Sequence, residues 1–60
     1  MIRIPGWPKV GDIVRVEMPF SKPYPFEIKK IDGDILRLYA FIDGNKVWID
    51  RKWAPSPPPS

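Results

Sequence analysis

The chain has 60 residues, with ten Lys plus Arg against seven Asp plus Glu, a formal net charge of +3, and neither histidine nor cysteine. A chain this short makes one small domain that buries only about 60% of the surface its unfolded form exposes, which leaves little room for a core and a deep substrate pocket together. Without Cys or His there are no disulfides, no thiolate or imidazole metal sites and no Ser-His or Cys-His nucleophile pair, so a non-catalytic protein without cofactor or metal is expected.

At the start of the chain, Met1-Ile2-Arg3-Ile4 is cut off by Pro5, too early for the apolar stretch of a secretory signal. The longest uninterrupted apolar run, residues 38–42, falls far short of the roughly 20 residues that span a bilayer. A small extracellular domain would normally carry disulfides, so a soluble, cytoplasmic protein with no membrane contact is expected. Proline-rich segments bracket the chain at residues 5–8 and 55–60. The boundaries that follow are a domain over 1–55 and a disordered, polyproline-II-like tail over 56–60.

Between those ends the hydrophobic pattern has period two. Val14, Val16 and Met18 alternate with Arg15 and Glu17; Phe26 and Ile28 alternate with Glu27 and Lys29; Leu36, Leu38, Ala40 and Ile42 share one phase, followed by Val47 and Ile49. Strands are predicted near 12–18, 25–31, 35–42 and 46–50, with a long irregular loop over 19–25 and a short polar turn over 50–53. A fifth strand is expected from residues 2–4 or from around Trp53. No window of eight or more residues has helical periodicity free of Pro and Gly, so the class is all-β.

Turn chemistry sets the registers. Asp43-Gly44-Asn45 reads as a two-residue hairpin, which places Ala40, Ile42, Val47 and Ile49 on one face. The preceding hairpin keeps phase only with an odd loop, such as Asp32-Gly33-Asp34 with glycine in the left-handed position. The expected core is then Val14, Val16, Phe26, Ile28, Leu36, Leu38, Ala40, Ile42, Val47 and Ile49. A one-residue slip would turn that whole set into water.

An opening strand, a meander and a short closing turn are the layout of a small SH3-like barrel of four to five antiparallel strands, with an open OB-like barrel as the second choice. Val10-Gly-Asp-Ile-Val-Arg-Val16 resembles the first strand of many SH3-like barrels, including KOW, Tudor and retroviral integrase C-terminal domains. Tyr24-Pro-Phe-Glu-Ile28 is similar to the segment leading the second strand in the integrase domains, and Asn45-Lys-Val-Trp-Ile49 with Arg51-Lys52 to their closing strand and basic turn. The resemblance spans residues 10–55 and implies binding of nucleic acid or protein without choosing between them.

The residues left off the core face carry the functional signal. Period two puts Tyr39, Phe41 and Trp48 outside, with Arg37, Lys29 and Asp50 around them and Ile31 and Ile35 at one end. Small proteins rarely expose such an apolar patch without a use for it. The competing expectation is that Trp7, Trp53 or the proline segments fold over this face as a second core. Aromatics interleaved with Lys and Arg suit single-stranded nucleic acid, in which bases stack on rings while cations track phosphates. The candidate binding set is Tyr39, Phe41, Trp48, Arg37, Lys29, Lys46, Arg51 and Lys52, with Lys30 alongside. The alternative use of the same face is a partner protein, as an interaction, regulatory or inhibitor module, or a homo-oligomer contact. Lys52-Trp-Ala-Pro55-Ser-Pro-Pro58 also fits a basic-x-x-Pro-x-x-Pro ligand of SH3 domains. Asp32, Asp34 and Asp43 sit where turns need aspartate, too few for a divalent cation, and Ser21 has no base to activate it.

Overall fold

The computed structural model describes residues 2–19 and 21–56. Five strands run in chain order: β1 (Ile2–Ile4), β2 (Ile13–Met18), β3 (Ser21–Asp32), β4 (Ile35–Ile42) and β5 (Asn45–Pro55). They form one sheet in the order β1-β5-β4-β3-β2, curled into a nearly closed barrel compatible with an SH3-like fold. Among the described residues there is no helix, hence none long and apolar enough to cross a membrane.

All three neighbour pairs among β2 to β5 are antiparallel, whereas β1 joins β5 in parallel, with Ile2 beside Trp53 and Ile4 beside Pro55. Both expected sources of a fifth strand are therefore used at once, because each supplies the other's partner. Ser56 continues the pairing, its N–H donating to the Ile4 carbonyl at 3.0 Å. The rest of the expected tail, from Pro57, lies outside the described residues.

Two expected irregular segments are strand instead. Residues 21–25 begin β3 and pair with β2 as far as Ser21 opposite Met18. Prolines fit there because β4 reaches along β3 only to Glu27, which leaves the first half of β3 with β2 as its sole neighbour. Ile28 aims both backbone groups at the β2 side, in 2.8 Å bonds with Gly11 and Asp12. Alternation then turns the nitrogen of Pro25, three residues back, away from β2, where no hydrogen bond is lost. The second segment, 50–53, continues β5 without a turn, since Asp50, Arg51 and Lys52 pair in register with Arg37, Leu36 and Ile35.

The hairpin before β4 keeps phase by a different device from the one expected. Asp32 pairs with Ile35, so the loop is the two residues Gly33 and Asp34, with Gly33 at φ 60°. That is the II′ pattern, glycine first. The register instead shifts between Ile28 and Lys30, a bulge that inserts Lys29. One extra strand residue does what an odd loop would have done, and it also moves Ile31 from the outer face to the core side. At the other hairpin Asp43 (φ 51°) and Gly44 (φ 79°) both adopt the left-handed conformation of a type I′ turn.

Ile4, Val16, Phe26, Ile28, Leu36, Leu38, Ala40 and Trp53 form the buried core, with Val14, Ile42, Val47, Ile49 and Ile31 among the half-buried residues packed against it. Every expected core residue is in one of these sets, and Ile4 and Trp53 join them through the β1–β5 pairing. Trp53 also anchors a turn: its indole Nε1 donates to the Gly33 carbonyl at 2.9 Å, and its backbone N–H to the Asp34 carbonyl at 2.8 Å.

Candidate nucleic-acid interface

The outer face of β4 and β5 is built from cross-strand rows. Tyr39 sits opposite Trp48, Phe41 opposite Lys46, Arg37 opposite Asp50 and Ile35 opposite Lys52. The first row extends onto β3, where Glu27 faces Tyr39, and the third does too, where Lys30 faces Arg37. Alternation in regular antiparallel strands brings these side chains together, and the type I′ turn at Asp43-Gly44 holds the register.

The Tyr39 and Trp48 rings lie 4.7 Å apart at a tilt of 54°. The Lys29 ammonium stands 5.6 Å from the Tyr39 ring centre, near enough for a cation–π contact. Its position follows from the bulge, since Lys29 is the inserted residue. Tyr39 is half-buried under these neighbours, whereas Trp48 stays 54% and Phe41 59% exposed. Tyr24 backs the row from beneath, its hydroxyl donating to the Phe41 carbonyl at 3.4 Å. Lys29, Tyr39, Lys46 and Trp48 together line a shallow concavity.

Trp7 does not cover this face. Its ring meets Trp53 edge-on at 5.5 Å, and Trp53 points into the barrel from the opposite side of β5. Neither tryptophan builds the expected second core over the aromatic row, where Phe41 and Trp48 stay more than half exposed, and the proline segment from Pro57, the other expected cover, lies outside the described residues.

Charge on the face is partly neutralised. Lys29 Nζ lies 2.9 Å from Glu27 Oε2, and Arg37 Nε donates to Asp50 Oδ1 at 3.3 Å. Lys30, Lys46 and Lys52 have no ion-pair partner among the described residues. Glu27 and Asp50 were not in the candidate set as charge partners, though each stands beside a cation once the registers are known. Of the eight candidates, seven share the outer face and Arg51 does not. Because β5 runs straight through 50–53, Arg51 falls in the inward phase opposite Leu36 and donates from Nη1 to the Asp50 carbonyl at 2.9 Å. There it borders a second concavity, with Arg3, Arg15 and Glu17.

The arrangement offers ring faces flanked by cations. Compared with protein families, curated proteins and solved structures, the chain matches none.

Proposed function

We propose that this protein is a non-catalytic binding module that takes single-stranded nucleic acid across the outer face of β4 and β5. The observation that carries the reading is the half-exposed Tyr39–Trp48 pair with Phe41 beside it and Lys29 and Lys46 at its margins. Bases stack on such rings at about 1–3 kcal/mol each whatever their sequence. Lys30, Lys46 and Lys52 would take phosphates, and the bulged Lys29 completes the basic margin. The resemblance of Val10–Val16 and of the Asn45–Lys52 region to KOW, Tudor and retroviral integrase C-terminal modules supports a binding role, and a cytoplasmic setting suits this ligand. The competing reading is a partner protein or a second copy of the chain on the same face, favoured by the near-neutral Arg37–Asp50 pair beside exposed Trp48.

Salt separates the two readings. With three lysines on phosphates, the affinity for a labelled oligothymidine should fall with a log–log slope of roughly −2 in salt concentration. An aromatic-centred protein contact should change little over the same range. Absence of oligonucleotide binding at about 50 mM salt would overturn the nucleic-acid reading.

A further inference from the structure

The barrel has one open seam. β1 and β2 are the two ends of the sheet order, and among the described residues no backbone hydrogen bond joins them. Both strands nevertheless border the same two concavities. One is lined by Ile4 and Trp7 together with Ile13, the other by Ile2 and Arg3 together with Arg15 and Glu17. The two strands thus face each other in antiparallel sense, their facing edges unpaired.

The direction of the free backbone groups follows from the bonds that are made. The Ile4 carbonyl points to the β5 side, where Ser56 donates to it, so the N–H and C=O of Arg3 point into the seam. On β2, the Ile28 bonds put Phe26 and Tyr24 in phase with Val14 and Val16 across the ladder, which turns the groups of Ile13, Arg15 and Glu17 into the seam as well. An exposed, unpaired edge of this kind is a template for another strand.

The side chains along the rim are graded. Trp7 and Ile13, 82% and 62% exposed, stand at one end. Arg3 and Arg15 border both concavities and Arg51 joins them at the other end, three cations against the carboxylates of Asp12, which accepts from the Lys9 N–H, and Glu17; neither Arg3 nor Arg15 has an ion-pair partner among the described residues. Pairing of β2 with β2 of a second copy, centred on Arg15, would set like charges opposite each other, which disfavours self-association at this edge.

We infer that the β1–β2 seam docks an extended acidic peptide segment as an added strand, with the unpaired groups of β2 bonding its backbone, Arg3, Arg15 and Arg51 meeting its carboxylates, and Trp7 and Ile13 meeting an apolar residue. Free strand edges favour a peptide over a nucleic acid, which has no backbone ladder to offer. This surface is separate from the aromatic face, and its test is independent of that reading.

The test is a random-heptamer display selection against the intact chain, followed by amide NMR mapping with the most enriched heptamer. Enrichment of heptamers carrying Asp or Glu with an apolar residue is expected, with shifts and slowed amide exchange at Ile13, Arg15 and Glu17. Methylating alternate backbone nitrogens of that heptamer should weaken binding at least tenfold, a measurement that leaves the protein unaltered. The variant R3E/R15E should lose the peptide, and K30E/K46E should keep it. The inference is overturned by enrichment of basic heptamers, by no enrichment, by shifts confined to the Tyr39–Trp48 face, or by an oligothymidine that perturbs Arg3 and Arg15 in place of the peptide.

Discussion

Two tryptophans on one strand divide the molecule into its structural and its proposed binding halves. Trp48 and Trp53 lie five residues apart on β5, an odd separation that sends their rings to opposite faces. Trp53 is 9% exposed, carries Trp7 on its edge and spends its indole N–H on the Gly33 carbonyl. Trp48 is mostly open, rests on Tyr39, and its indole N–H has no acceptor among the described residues. The same residue type is a cornerstone in one place and an unused contact surface in the other. Burial and hydrogen-bond satisfaction separate the two roles where residue identity does not.

Breaking the structural half should have the largest effect. Trp53→Ala removes a core ring and the tether between β5 and the Gly33-Asp34 turn, with an expected loss of about 3–5 kcal/mol. Leu38→Ala, at a fully buried position, should cost about 2–5 kcal/mol. For a domain this small, either loss is comparable to its whole stability, so circular dichroism should report largely unfolded chains at room temperature.

On the other half the expectation reverses. Trp48→Ala should lower the unfolding free energy measured by chemical denaturation by less than about 1 kcal/mol, since over half of the residue is already in water. Oligonucleotide affinity should fall by about 2 kcal/mol or more. Phe41→Ala should follow the same pattern. If both variants unfold the domain, the outer rings are structural and the division fails.

Smaller changes sharpen the contrast. Gly33→Ala forces a side chain into a left-handed turn position under the Trp53 anchor and should cost about 1 kcal/mol by chemical denaturation. Asp50→Asn frees Arg37 from an exposed ion pair, with a stability change within about 0.5 kcal/mol and slightly tighter oligonucleotide binding at low salt.

The alternation itself made most of this legible. Period two placed Val14 through Ile49 inside and Tyr39, Phe41 and Trp48 outside, and the Asp43-Gly44 dipeptide announced its own turn. What stayed hidden were features that depend on partners distant in sequence. Parity requires one extra residue near the β3–β4 hairpin, yet a bulge at Lys29 and a longer loop satisfy parity equally, and local sequence does not choose between them. Residues 21–25 and 50–53 carry prolines or consecutive charges that read as loop locally, but each gains a ladder from a neighbour already in place. Arg51 left the aromatic face for that reason. The role of Ile4 could not be seen before β1 had β5 to pair with. Arg15 alternated visibly with Val14 and Val16, but its place on an open seam depends on where β1 ends.

The central claim, that Trp48 belongs to a binding surface and Trp53 to the core, is tested most directly by indole ¹⁵N NMR during an oligothymidine titration at low salt. Each of the three tryptophans contributes one indole N–H signal. The Trp48 signal should move progressively with added oligonucleotide, while that of Trp53, held on the Gly33 carbonyl, stays in place and remains slow to exchange. Movement of the Trp53 or Trp7 signal with Trp48 unchanged, or no movement at all, would contradict the account.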